Sequence, residues 1–147
     1  MQAYGIATEA ALKIGETVKV PSFAYEAEEY IHGPNLQLSP DYTVFCIDDL
    51  AEGSERMAQI YAATRSVTDE AFFITNNPAV DEDHAIRIPF DIHESLLMPL
   101  YVLPVFQILA YQITTVNDSW DNHPMFRDFK KHANTKTDNI LKVMPNF

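Results

Sequence analysis

The sequence has little cysteine and little positive charge. Its 147 residues include a single cysteine, Cys46, so no disulfide can form within the chain, and a buried thiol in a strand is expected. A chain without disulfides suits a reducing cytoplasm. Only 10 lysine and arginine residues stand against 21 acidic ones, which gives a formal net charge of −11. That charge disfavours nucleic acid and anionic membrane surfaces as partners.

The sequence also lacks the features of a targeting or membrane segment. The N-terminus has neither the basic region nor the long apolar stretch of a signal peptide, so none is expected. The longest apolar run, Leu96 to Phe106, is interrupted by Pro99 and Pro104 and is shorter than the roughly 20 residues of a membrane span. With 47% hydrophobic residues the chain can still bury a core, so we expect one folded cytoplasmic domain.

Helical and strand-like patterns alternate along the chain. The predicted helices are Gln2–Val18 (buried side Ala7, Ala11, Ile14 and Val18), Phe23–Ile31 (N-cap Ser22), Glu52–Arg65 and Glu94–Thr115, and the predicted strands are Tyr42–Ile47, Ala71–Thr75 and Ala85–Ile88. This alternation is typical of a doubly wound α/β fold with a parallel sheet. The helix that begins at Glu94 is apolar on nearly every side. This predicts that it is buried within the domain and also packs against another domain or chain. Beyond it the tail is predicted to be polar and irregular.

Two groups of charged residues are candidates for function. Glu9, Lys13 and Glu16 stand at i, i+4 and i+7, so they line one stripe of the first helix. By spacing alone this is an ordinary solvated stripe with one ion pair. His32 precedes a Gly-Pro pair and is predicted in the last turn of the second helix, where the helix dipole favours a proton donor. The contiguous acidic loop at 81–84 is predicted to be solvated rather than a metal site.

These residues carry a resemblance to a known family. The run E-x-x-x-K-x-x-E, with H-G-P following sixteen positions after its last glutamate, resembles the second half of proteins with two sugar isomerase (SIS) domains. Members include the isomerase part of glutamine–fructose-6-phosphate aminotransferase and the fructosamine-6-phosphate deglycases. The helix ESLLMPLYVLPVFQILAY is similar to a late helix of the same family. The resemblance covers essentially the whole chain and implies a three-layer, flavodoxin-like sandwich around a mainly parallel sheet. Residues 1–147 would form one partial SIS domain, with 117–147 as an extended C-terminal tail.

The resemblance assigns roles to individual side chains. Glu16 is the base that carries a proton between C1 and C2 of the sugar, and His32 opens the sugar ring. Glu9 and Lys13 are supporting residues that place and tune Glu16. Independently of the resemblance, Glu29 faces the same side of its helix as His32 at i, i+3 and is a candidate to steady it. No metal and no organic cofactor is implied.

The family also has a tail lysine that covers the sugar. Lys130 and Lys131 both lie in the matching region, and the sequence does not choose between them.

The resemblance further implies partners and missing parts. A sugar phosphate or a fructosamine phosphate is the expected ligand, and a homodimer or higher oligomer is the expected assembly, with His32 completing the partner's site. The family's first strand and the Ser/Thr-rich loop that grips the phosphate have no counterpart here. We therefore expect a missing N-terminal SIS half and no activity from the chain alone. Isomerase and deglycase both stay open, and the alternative is a non-catalytic SIS module that binds a sugar phosphate as a regulator or scaffold.

Overall fold

Helices and strands alternate in an α/β fold, as predicted. The computed structural model describes residues 2–48, 54–78, 80, 83–88, 95–121 and 126–133. In chain order the elements are α1 (Gln2–Thr17), α2 (Ala27–Ile31), a 3₁₀ turn (Pro34–Gln37), β1 (Val44–Ile47), α3 (Ser54–Arg65), β2 (Ala71–Ile74), β3 (Ala85–Ile86), a second 3₁₀ turn (Ser95–Leu97), α4 (Met98–Val116) and α5 (Phe126–Ala133). The strands are parallel in the order β1-β2-β3. The predicted α/β class with a parallel sheet is confirmed.

The sheet separates two apolar layers, because successive residues of a strand point to opposite faces. On one face Ile47 and Ile74 pack with residues of α1 and α4. On the other face Cys46 and Phe73 pack with residues of α3. The molecule is therefore a three-layer sandwich, and the prediction that Cys46 is a buried strand thiol is confirmed.

The buried face of α1 differs from the predicted one. Ile6 and Ala10 are the buried residues of this helix, and they belong to the core that α1 shares with α4 and the sheet. The residues predicted to be buried are only partly so: Ala7, Ala11, Ile14 and Val18. The helix is thus turned by about one residue, or ~100°, relative to the prediction. The branched side chain of Ile6 packs into the core that α1 shares with the sheet and α4.

The second helix is shorter than predicted. It begins after Glu26, whose carboxylate caps it by accepting a hydrogen bond from the backbone N–H of Glu28 at 2.9 Å. The prediction that the helix starts at Phe23 with Ser22 as its N-cap is therefore wrong. His32 is the C-cap residue of this helix, close to its predicted place.

β1 lies at an edge of the described sheet. Within the described residues it pairs with β2 alone, and no strand precedes α1. The N–H groups of Val44 and Asp48 donate to carbonyl oxygens on the β2 side. Since alternate amides of a strand point in opposite directions, those of Phe45 and Ile47 face away from β2. An apolar edge of this kind is a place where another strand can add.

α4 begins in steps at its N-terminus. The predicted start at Glu94 lies outside the described residues, and a 3₁₀ turn leads into the helix at Met98. Pro99 stands in the first turn, where its missing N–H is not needed, and Pro104 lies inside the helix. By length and composition alone the helix passes the test for a membrane span, a test that core helices of soluble proteins also pass.

One side of α4 is core and the other is exposed. Val102 and Phe106 are buried against α1 and the sheet. Only 22% of the most apolar part of the helix is buried, because Leu100, Ile108 and Tyr111 point away from the core. The predicted burial of α4 on all sides therefore holds for one face within this chain.

The tail, which was predicted to be irregular, contains a helix. In α5 the rings of Phe126 and Phe129 stack with their centroids 5.8 Å apart, and Lys131 Nζ lies 3.1 Å from Asp128 Oδ1. Both are i, i+3 pairs, which favour a helix. The prediction of an irregular tail is wrong for these residues.

Candidate functional site

Lys13 lies between two carboxylates on the exposed stripe of α1. Its Nζ is 3.5 Å from Glu9 Oε1 and 3.2 Å from Glu16 Oε2, as the i, i+4 and i+7 spacing predicts. The hydrogen bond to Glu16 is the main cause that raises the pKa of Lys13, and the negative charges of Glu16 and Glu9 add to it. Lys13 is therefore protonated at neutral pH, and its donor hydrogens orient the carboxylate of Glu16.

Glu16 lies in the wall of an open groove on the outer side of α1. The groove has a volume of about 560 Å³, and α1 and residues 22–25 form its walls. Tyr4, Leu12 and Phe23 give it a largely apolar surface. The Glu16 side chain is 57% exposed, so a molecule in the groove can reach its carboxylate. Volumes of roughly 300–1,000 Å³ and apolar walls with few polar groups are usual for small-molecule sites.

The aromatic wall of the groove explains why α2 starts late. The rings of Phe23 and Tyr25 stack with centroids 6.5 Å apart, and Tyr25 contacts Tyr30 at 6.4 Å. Residues two apart do not face each other on a helix, so this stack requires a non-helical backbone. Phe23 is 70% exposed and presents its ring to a ligand.

His32 lies outside the groove. It is exposed, and it is absent from the described residues that line the groove. Its charge acts on Glu28, which precedes it by four residues. Glu28 in turn accepts hydrogen bonds from Arg56 on α3, from Nε at 2.8 Å and Nη2 at 3.3 Å. The hydrogen bond from Arg56 is the main cause that lowers the pKa of Glu28, and the charges of Arg56 and His32 lower it further.

The sequence prediction named Glu29, not Glu28, as the carboxylate beside His32. The i, i+4 spacing of Glu28 and His32 was the available signal, since residues four apart share a helix face. Arg56 was missed altogether. It stands 28 residues beyond Glu28, and no local pattern connects the two.

The roles predicted for the tail lysines and for the acidic loop remain predictions. Lys131 is exposed and paired with Asp128, while the side chain of Lys130 and residues 81–82 lie outside what the structure describes. Neither lysine is selected as the one that covers a sugar. Within the described part of the chain, no group of three or more His, Cys, Asp or Glu side chains is arranged to hold a metal ion.

Comparison with known proteins gives relatives for most of the chain. No protein-family model matches it. The chain is 33% identical over 114 residues to the isomerizing glutamine–fructose-6-phosphate aminotransferase of Thermotoga maritima. These residues make up 75% of this chain and 18% of the relative. It is 31% identical over 110 residues to the protein of the same name from Aeropyrum pernix. This match covers 74% of this chain and 18% of the relative. The chain thus spans about a fifth of the length of these curated relatives.

Two solved structures share the fold. A protein from Clostridium difficile 630 that is assigned as a phosphosugar isomerase superposes with a TM-score of 0.72, over 99% of this chain and 38% of its own, at 24% identity. The C-terminal domain of glucosamine–fructose-6-phosphate aminotransferase from Francisella tularensis superposes with a TM-score of 0.67 at 20% identity. This superposition covers 81% of this chain and 34% of that domain's chain. The chain therefore belongs to the sugar isomerase (SIS) domain family, as a homologue of the C-terminal SIS domain of glutamine–fructose-6-phosphate aminotransferase.

Proposed function

We propose that the chain, one partial SIS domain with 117–147 as its tail, is the C-terminal half of a phosphosugar isomerase or fructosamine-6-phosphate deglycase. The observation that carries the proposal is the Glu16 carboxylate, held by Lys13 at 3.2 Å and exposed in a groove large enough for a sugar. A carboxylate so placed is suited to act as a general base. The isomerizing aminotransferases among the relatives support the same reaction class.

Isomerisation and deglycation use the same proton movements. The sugar ring opens when its ring oxygen gains a proton and the anomeric hydroxyl loses one, the role proposed for His32. Glu16 then removes a proton from one of C1 and C2 and returns it to the other, while a proton passes between the oxygens on these carbons, so that the carbonyl group moves between them. In deglycation the C2 carbonyl becomes a CH–OH group as the C1–N bond becomes a C1=N bond, with the N–H proton passing to the C2 oxygen, and water hydrolyses this imine to an amine and a sugar phosphate aldehyde. Glu9 and Lys13 orient Glu16, and no metal or organic cofactor enters the proposal.

The groove does not supply the positive charge that a phosphate needs. None of the described residues lining it is cationic, and the chain carries a net charge of −11. A phosphate must then be held by cations or backbone N–H groups from elsewhere. This supports the proposal that an N-terminal SIS half completes the site and that the chain alone is inactive. It also favours the alternative, a non-catalytic SIS module that acts as a regulator or scaffold.

We also propose a homodimer in which His32 serves the partner's groove. The exposed face of α4 presents Leu100, Ile108 and Tyr111, and no charged residue occurs from 95 to 117. An apolar, uncharged stripe lets two chains of high negative charge approach each other. This assembly is a cytoplasmic one, which the single free thiol suits.

Calorimetric titration tests the proposed function. Fructose 6-phosphate, glucosamine 6-phosphate and a fructosamine 6-phosphate are titrated into the chain together with its N-terminal half, with fructose as the phosphate-free control. NMR in D₂O then follows deuterium entering C1 or C2. We expect binding of a phosphorylated sugar only, and deuterium exchange that Glu16→Gln abolishes. Release of free amine identifies a deglycase, and ketose–aldose conversion identifies an isomerase. Binding without exchange indicates the non-catalytic module, and no binding contradicts both.

A further inference from the structure

The helices α1 and α4 end in the same unusual way. Each is followed by a residue other than glycine in the left-handed region, Lys19 with φ 65° and Asp118 with φ 48°. This region favours glycine, because a Cβ crowds the backbone there. At neither of these two helix ends is the left-handed residue a glycine. A backbone held in a sparsely populated region points to a requirement placed on that residue's side chain or its surroundings.

Lys19 connects the two helix ends through its side chain. Its ammonium donates one hydrogen bond to the carbonyl oxygen of Ser119 and another to that of Asp121 at 2.9 Å. The negative end of the dipole of α4 lies close by, at Val116, so a lysine charge near this helix end is favoured. The two bonds join points in the chain that are 100 and 102 residues apart. They fix the first residues after α4 against the end of α1.

The backbone of Lys19 lies between the two walls of the Glu16 groove in the chain. Lys19 follows Glu16 by three positions, and residues 22–25, which come next, form the wall that α1 does not supply. The left-handed turn at Lys19 sets the direction in which this segment leaves the helix. One residue therefore directs the groove wall through its backbone and holds the start of the tail through its side chain.

We infer that Lys19 is a positioning residue that couples the groove wall at 22–25 to the start of the tail at 119–121. Releasing its ammonium frees both segments together. The physical coupling stands apart from any reaction in the groove, and its effect on a sugar ligand rests on the proposed function. Lys19 touches neither the groove nor a reacting atom and is not a catalytic residue.

The chain has a built-in reporter for this contact. Trp120, its only tryptophan, lies between the two carbonyl groups that Lys19 holds, and its ring contacts Tyr111 at a centroid distance of 5.5 Å. Trp120 is 52% exposed. Release of this segment therefore raises acrylamide quenching of its fluorescence by up to about twofold, the limit set by full exposure.

Four variants separate the ammonium from the backbone. Lys19→Met removes the charge, Lys19→Gly removes it while relieving the left-handed backbone, and Lys19→Arg keeps a charged donor. Asp118→Gly relieves the same backbone conformation at α4 without touching the ammonium and is the matched control. Thermal unfolding monitors the fold in each. Because glycine suits the left-handed region, Lys19→Gly keeps the protein folded and the test usable even if Lys19→Met does not.

Quenching and amide hydrogen exchange, both without sugar, test the coupling. Faster exchange at 20–25 and at 119–121, with higher quenching, is expected in the Met and Gly variants and absent from Lys19→Arg and Asp118→Gly. Unchanged quenching in both charge-free variants would overturn the inference, and so would release of 119–121 alone. In the active assembly with a sugar phosphate, the Met variant should raise KM about tenfold and change kcat less than about twofold, as for loss of a charged hydrogen bond that positions the groove wall and the tail. Coupled exchange without sugar binding would support the coupling while contradicting the proposed function.

Discussion

Glu16 and His32 both stand near the C-terminal ends of helices, but they belong to opposite layers of the molecule. α1, which carries Glu16, packs with α4 on one face of the sheet. α2, which His32 ends, is joined to α3 on the other face by the bond between Glu28 and Arg56. Within one chain His32 is therefore carried by a different layer from α1 and is not among the described residues that line the groove of Glu16. The proposed homodimer brings the His32 of a second chain to this groove.

The two side chains are also held differently. Glu16 is oriented by Lys13, a neighbour three residues away on the same helix. His32 interacts with Glu28, whose own position depends on Arg56 from a different helix. The first arrangement is local and survives wherever α1 forms. The second needs α2 and α3 to be packed, so it is more sensitive to changes elsewhere in the fold.

Cys46 is buried in the sheet that separates the two layers. The rate at which its thiol reacts therefore reports how tightly the sheet and the helices are packed. Burial raises the pKa of its thiol to about 12, from a usual value of 9.0. At pH 8 the reactive thiolate is then about 10³-fold scarcer than in a free thiol. We expect iodoacetamide to modify the folded protein slower by at least that factor than the same protein unfolded in guanidinium. Similar rates in the two states would mean that the sheet opens readily.

Replacing Glu16 tests the groove side of the comparison. In the active assembly, Glu16→Gln should lower turnover by about 10²-fold or more and leave substrate binding nearly unchanged, as for a general base. Steady-state kinetics and calorimetry measure the two effects. Glu9→Gln removes the other carboxylate beside Lys13 and is the matched control, with a much smaller effect. Normal turnover of Glu16→Gln would remove this residue from the mechanism.

Mixed dimers test whether His32 acts across chains. Glu16→Gln and His32→Ala are each expected to be inactive, and mixing them should restore about a quarter of the wild-type activity. Random exchange makes about half of the dimers mixed, and each mixed dimer has one intact site out of two. Native mass spectrometry confirms the exchange. No recovery with exchange confirmed would mean that His32 acts within its own chain or not at all.

The smallest expected effect concerns the support of His32. Glu28 is exposed, so Glu28→Gln should change turnover by less than about threefold at neutral pH. The folded pKa of Glu28 is lowered from 4.5, so the stability contributed by its charge is present above about pH 4.5 and is lost as the pH falls through the folded pKa. Thermal unfolding of wild type and variant should therefore converge at acid pH. A larger effect from the control Glu29→Gln would support the sequence prediction that Glu29 is the supporting residue.

Features that depend on near neighbours in the chain could be predicted from the sequence. Alternating helical and apolar segments predicted the α/β class, and the spacing of Glu9, Lys13 and Glu16 predicted a shared stripe with one ion pair, between Glu9 and Lys13. The Glu16-to-His32 spacing, with the residues that follow His32, identified the family. These signals succeed because helix and strand periods place residues two to seven positions apart in fixed relative directions.

Contacts between residues far apart in the chain could not be predicted in this way. The buried side of α1 was set by the space between α4 and the sheet, and the late start of α2 by the stack of Phe23 on Tyr25. The partnership of Glu28 with Arg56 and the reach of Lys19 to the end of α4 join residues 28 to 102 positions apart. No local pattern encodes such pairs, because they become neighbours only when the apolar layers have packed and brought distant helix ends together.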